Sequence, residues 1–262
     1  MAGKRAIWAS LLLLVGVALT LWLRPADAQN NFNEREVKSQ ASALDKAGVW
    51  SLDFRFKDPR LIKVYVPGRG TRIYWYLWYQ VINRTGEPRL FVPDFELVTL
   101  DYPSVHHDLD SPTVVEAIKR VEDPTGYQDI KNSVTISSRK IPVSKEDAFP
   151  VAITGVAIWD GTAADPTKRD PKVKDPKVVL ADATRFSIFV RGLSNGFVIV
   201  DAPVEGDPPI TRNKTLQMNF KRVGDRNILD SRDISFIPPA EWIYRPDRQK
   251  TAVKGDEMKL EK

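Results

Sequence analysis

The chain has two histidines, and they are neighbours in His106-His107-Asp108-Leu109-Asp110, a run rich in metal-ligating residue types. Zinc or another divalent ion would require these side chains to converge. Adjacent histidines on an extended segment diverge instead, and no further histidine exists to complete a His-rich set. Asp108 and Asp110 lack the glycine and closing glutamate of an EF-hand. One reading is a metal-dependent hydrolase centred on His106 and His107. The favoured one is a polar surface loop, with Asp110 and Ser111 capping the helix that follows; no metal or cofactor is expected.

Nucleophilic chemistry has few candidates. Cysteine is absent, which excludes disulfides, thiolate catalysis, thiolate-bound zinc and a lipid-modified N-terminal cysteine. Gly192-Leu193-Ser194-Asn195-Gly196 reads better as a β-turn than as a nucleophile elbow. Gly68-Arg69-Gly70 lacks the third glycine and the helix of a phosphate-binding loop, so it reads as a hairpin turn. Paired carboxylates for glycoside hydrolysis cannot be picked out among the acidic residues. Asn83-Arg84-Thr85 and Asn213-Lys214-Thr215 are formal N-glycosylation acceptors.

The remaining chemistry is that of a binding surface. Along the stretch Arg72 to Asp101, Trp75, Leu77, Tyr79 and Val81 share one face of a strand and Tyr74, Tyr76, Trp78 and Gln80 the other. If the second face were open, its rings would repeat about every 6.6 Å and could stack successive sugar rings. Tyr74, Tyr76 and Trp78 are therefore the candidate ligand-binding residues. The alternative is that the helix at 112 to 122, or a long loop, covers them, and this is favoured because three large aromatics in a row are seldom left exposed.

The elements that must position these residues follow from periodicity. Trp50 to Phe56 alternates apolar and polar, Leu61 to Val66 is a short strand, and Pro67 to Gly70 is a tight turn. Asn83-Arg84-Thr85-Gly86 is expected to turn the aromatic strand back into a central hairpin. Ser111-Pro112 followed by Val114, Ile118 and Val121 predicts a helix over 112 to 122, stopped at Asp123-Pro124. Further strands are expected at Val134, Ile136 and Ile141, at Val151 to Trp159, at Leu216 to Phe220, at Trp242 to Tyr244, and as a hairpin of Arg185 to Arg191 with Phe197 to Asp201. Val37, Ala41 and Leu44 fit a short helix ending at Gly48 or, equally, a flexible spacer.

The run Tyr79, Val81, Asn83, Thr85, Gly86, then Pro93, Phe95 and Leu97, resembles the strand, Asn-x-Thr-Gly turn, strand hairpin of immunoglobulin-like accessory domains in exported bacterial proteins. The whole chain more loosely resembles uncharacterised exported proteins of bacteria. What the resemblance implies is an Ig-like β-sandwich and no catalytic residue; with the helix at 112 to 122 the fold expected is mainly β, an antiparallel Ig-like β-sandwich with one short inserted helix.

Lys4 and Arg5, the apolar run Ala6 to Leu23 and Ala26-Asp27-Ala28 have the parts of an export signal. The run exceeds the usual apolar core of about 7–15 residues and approaches the roughly 20 that span a bilayer, so an N-terminal membrane anchor through Ala6 to Leu23 is the rival reading. The organisation expected is a leader at 1–28, a helical or flexible spacer at 29–47, a β-sandwich at 48–245 and a disordered charged tail at 246–262. Three Asp-Pro pairs, at 165, 170 and 175, mark an exposed loop, and two smaller sandwiches meeting there are the alternative. Lysine and arginine number 39 against 34 acidic residues, with both signs interspersed, which leaves no nucleic-acid footprint. The function expected is a non-catalytic, exported cell-envelope module, structural or protein-binding, in the periplasm, at the cell surface or secreted. Its partner would be another envelope protein or, in the carbohydrate-binding alternative, a glycan.

Overall fold

The computed structural model describes residues 34–101, 104–145, 149–161, 180, 183–202, 208–223 and 233–246. The leader, the Asp-Pro loop and residues 247–262 lie outside these, as do the expectations placed on them. Among the described residues no helix is long and apolar enough to cross a membrane.

The protein is mainly β, with antiparallel sheets and, among the described residues, two short helices. In chain order the elements are β1 (Glu34–Val37), β2 (Asp53–Lys57), β3 (Arg60–Val66), β4 (Gly70–Ile82), β5 (Arg89–Leu90), β6 (Asp94–Thr99), β7 (Ser104–His107), α1 (Pro112–Glu122), α2 (Ser133–Ile136), β8 (Lys140–Ile141), β9 (Ala152–Asp160), β10 (Arg185–Arg191), β11 (Phe197–Val200), β12 (Ile210–Arg222) and β13 (Ile234–Pro246).

One sheet is built around the aromatic strand. β4 pairs with β3 and β2 along one edge and with β9 along the other. Between Phe56, opposite Tyr79, and Arg60, opposite Tyr76, three residues face two, so β2 and β3 are one strand broken by a bulge at Asp58-Pro59. The bulge switches parity: Phe54 and Phe56 face the same side as Tyr79 and Val81, whereas Ile62 and Val64 join the side of Tyr74. The second sheet runs β11-β12-β10-β6-β7, with β13 on the other edge of β12.

The two sheets share one apolar core. Phe54, Phe56, Trp75, Leu77 and Tyr79 come from the first, and Phe95, Leu97, Phe186, Ile188, Leu216, Met218 and Phe220 from the second. Residues on both sides of 162–179 contribute to it.

Several expectations are corrected. β6 does not fold back on β4: it pairs with β10 and β7 in the opposite sheet. The turn at Asn83 therefore carries the chain across the core, where Phe91 and Phe95 meet Tyr79 from the other side. Arg185 to Arg191 and Phe197 to Val200 are strands but not a hairpin, since both pair with β12. Their registers differ by four residues, taken up by the loop 192–196. Residues 34–37 form a strand rather than helix, because Asp45, Lys46 and their neighbours are held as turns by tertiary contacts described below. Val134 and Ile136 lie in a single helical turn fixed by a reciprocal Asn132–Thr135 capping box, whose side-chain bonds outbid the β-branched pattern.

Candidate functional site

The helix expected at 112 to 122 forms over those residues, with Pro112 in its first turn. Val114 and Ile118 of its periodic set, together with Val115, are buried against Tyr74, Tyr76 and Trp78, whereas Val121 is exposed. Each of these three rings is 2% exposed. The open platform for flat ligands is thus not what β4 presents, and the candidate binding residues are the floor of a second, smaller core beneath α1.

The rings are positioned by polar groups that sequence reasoning missed. Glu122, at the end of α1, has a side chain only 2% exposed. Its Oε1 accepts from the Tyr76 hydroxyl at 2.7 Å and from Arg60 Nη1 at 2.6 Å, and its Oε2 from Lys57 Nζ at 3.4 Å. Lys57 Nζ also lies 4.2 Å from the centre of the Trp78 ring, and Trp78 Nε1 donates to Gln128 Oε1 at 3.1 Å. Burial, then the Glu122 charge, pushes the Tyr76 phenol well above its ordinary range. These bonds tie α1 to the sheet.

The histidine run lies on β7 and the segment after it, not on a loop. His106 pairs with Leu97 and His107 with Glu96. His106 Nε2 is 2.8 Å from the Ser104 hydroxyl, and burial followed by the His107 charge lowers its pKa. His107 is half exposed, 3.8 Å from Asp94 and 3.9 Å from Glu96. Asp108 turns away to accept from Ser133, and Asp110 accepts from Asn132 Nδ2 at 2.7 Å. Asp110 therefore does not cap α1, and the Ser111 side chain makes no capping bond either. Among the described residues no three such ligands gather where a metal ion could be held.

Gly192-Leu193-Ser194-Asn195-Gly196 does spell G-x-S-x-G, yet it joins two strands, whereas a nucleophile elbow leads into a helix. Ser194 Oγ donates to the Trp50 carbonyl at 2.5 Å and accepts from Gly196 N at 3.1 Å. Leu52 N donates to Leu193 O, so the loop stitches the second sheet to the chain before β2. Gly192, at φ +88°, also packs against the Val92 carbonyl, where a Cβ would collide.

Two further polar clusters act as clamps. Lys214 is 2% exposed on the core face of β12, and its Nζ donates to Gln40 O and Asp45 Oδ2, each at 2.6 Å. Tyr244 donates to Asp45 Oδ1 at 2.6 Å. Burial raises the Asp45 carboxyl, but hydrogen bonds from Lys214, Tyr244 and Ser42 outweigh it and hold the pKa below the ordinary value. Arg84 bridges Asp53 and Glu36, and Ser39 N donates to Asp53 Oδ1 at 2.7 Å. The buried Asn83 side chain donates to Glu87 O and Ile141 O, which removes it as a glycosylation acceptor.

What remains open is a sheet edge. β11 (Phe197, Val198, Ile199, Val200) is the end strand of its sheet and carries no charge. Phe197 and Ile199 are 46% and 60% exposed. Among the described residues, β1 and β3 carry Glu34, Arg35, Arg60 and Lys63, and β13 carries Pro238, Pro239, Glu241 and Arg245, whereas β7 is a four-residue end strand, Ser-Val-His-His. The free edge of β9 accepts from Leu109 N at Ile158 O and from Lys131 N at Thr154 O, and its Val156 N donates to Lys131 O. Comparison with protein-family models, with curated proteins and with solved structures found no match.

Proposed function

We propose that the protein is a non-catalytic module of the cell envelope, an exported Ig-like sandwich that works by presenting a sheet edge to another envelope protein. The observation that carries this is β11, an uncharged strand with two exposed apolar side chains at the end of its sheet, in which the β13 edge by contrast bears proline and charge. Such an edge is a template for strand addition, in which backbone hydrogen bonds supply affinity and alternate side chains supply specificity. The clustered polar groups elsewhere support the reading, since Glu122, Asp53, Asp45 and Lys214 are engaged in holding elements together. Burial of Tyr74, Tyr76 and Trp78 takes away the surface on which a glycan platform would stand. The basic n-region, apolar run and Ala26-Asp27-Ala28 support export.

The test is photo-crosslinking in the producing cell. A photoreactive residue at Ile199 should give adducts in the envelope fraction, and one at Tyr65, also exposed, should give none. A protein found in the cytoplasm, or one that yields no adduct from position 199, would refute the reading.

A further inference from the structure

β11 faces β12 in a defined hydrogen-bond phase. Lys214 N donates to Gly196 O at 2.8 Å, so residues 196 and 214 form a hydrogen-bonded pair. The register then makes Val198 with Arg212, and Val200 with Ile210, the next such pairs. Hydrogen-bonding groups alternate along a strand, so the N–H and C=O of Phe197 and Ile199 turn away from β12, toward the side on which β11 has no neighbouring strand among the described residues. The two outward-facing residues are also the two with exposed side chains on one face.

We infer that β11 is a self-association edge, on which the partner is a second copy of this chain lying antiparallel with its two-fold axis at Val198. The inference rests on the envelope-binding reading and names its partner. In a sheet continued through a perpendicular two-fold axis, opposed residues must share a face, so the sum of their numbers is even. Centred on Val198, Phe197 meets Ile199 of the second copy and Ile199 meets its Phe197. Both are hydrogen-bonded pairs, which uses every outward donor and acceptor of the two residues in four backbone bonds and sets each exposed side chain against an exposed apolar one.

Charge along the strand itself permits this register, with Lys46 Nζ resting 5.7 Å from the centre of the Phe197 ring in each copy. No charged residue lies between Gly196 and Val200, and Asp201 falls opposite Asn195 of the second copy rather than opposite another carboxylate. Shifting the axis to Ile199 would set Asp201 against Phe197. The interface is isologous and closed, and it joins two six-stranded sheets into one.

The absence of native cysteine makes the register directly testable. At the axis the two Val198 Cα atoms form a non-hydrogen-bonded pair about 4.5 Å apart, within the range a disulfide accepts. Two copies of residue 199 lie on a diagonal about 7–8 Å apart. The full chain with Val198→Cys should crosslink to a covalent dimer under mild oxidation, and Ile199→Cys should do so at least tenfold more slowly. Sedimentation of the uncrosslinked chain should show a doubled mass that Ile199→Lys abolishes with its thermal midpoint retained, since position 199 is exposed. A monomer at all concentrations with no Val198→Cys crosslink overturns the inference, as does preferential crosslinking at 199. If photo-crosslinks from Ile199 then reach a different envelope protein, only the choice of partner has failed; if they reach nothing, the binding reading has failed with it.

Discussion

Replacing Trp78 with alanine separates a binding platform from a core most directly. The ring is 2% exposed, packed among Val114, Val115, Ile118 and Val156 beneath α1. Truncating a buried tryptophan typically costs about 3–5 kcal/mol, because lost transfer energy is compounded by a cavity that neighbours only partly fill. Here the walls are a helix anchored through Glu122 and a strand paired along its whole length, so collapse is restricted. The loss also frees Lys57 from the ring, an interaction of about 0.5–2 kcal/mol that overlaps with the first figure rather than adding in full. We expect about 4 kcal/mol, a large share of the roughly 5–15 kcal/mol typical of a whole domain. Urea unfolding followed by circular dichroism gives the number. Trp78→Phe, which keeps most of the apolar volume, should lose only about 1–2 kcal/mol. A folded Trp78→Ala protein destabilised by less than about 1 kcal/mol, with glycan affinity present in the wild type and lost in the variant, would show that the ring faces solvent and that α1 does not cover it.

Three other outcomes follow from the buried polar groups. Glu122→Gln should destabilise by about 2–4 kcal/mol, since Arg60 and Lys57 lose their counter-charge at a site where only those two cations reach partly to water. Tyr76→Phe should cost about 1.5 kcal/mol, and the double variant less than the sum, as a double-mutant cycle by urea unfolding would read. Lys214→Ala should cost about 3 kcal/mol and accelerate amide exchange at Ser42, whose N–H is held by the Asp45 carboxylate that Lys214 positions. The stability contributed by Asp45, whose folded pKa is depressed, is complete above its unfolded value near 3.9 and is lost as pH falls through the folded one, so the Lys214→Ala defect should shrink in acid. Asp108 behaves oppositely: burial raises its folded pKa against the Ser133 bond, so ionisation costs stability once pH exceeds the unfolded value, fully so above the folded one. Asp108→Asn should therefore raise the thermal midpoint at pH 7 and lose that advantage below about pH 4; an unchanged or lowered midpoint at pH 7 would contradict the burial.

Strand positions were legible because period-2 alternation needs only local residues: β9, β10, β12 and α1 lie where Val151 to Trp159, Arg185 to Arg191, Leu216 to Phe220 and Pro112 to Glu122 place them. Pairing was not legible. The buried Asn83 accepts hydrogen bonds from Thr85 N and Oγ1 as any Asx turn does, and that chemistry is the same whether the chain returns to its own sheet or crosses to the facing one. The choice is made by Phe91 and Phe95, which find Tyr79 across the core, a contact no local pattern encodes.

The functional face was misjudged for a related reason. Alternation sorts the β4 side chains into two faces and is silent on what covers each, and three aromatics covered by α1 look the same in sequence as three stacked against a ligand. Lys214 did carry a signal, because it shares parity with Leu216, Met218 and Phe220 and so must enter the core side, where only a carboxylate such as Asp45 can compensate it. For β11 the informative residues are the ones missing: an end strand without Lys, Glu or Pro lacks the means by which sheets avoid edge pairing. β3 and β13 retain such a means in the same molecule; β7, Ser-Val-His-His, is the other end strand without one, and what sets β11 apart is its pair of exposed apolar side chains, Phe197 and Ile199.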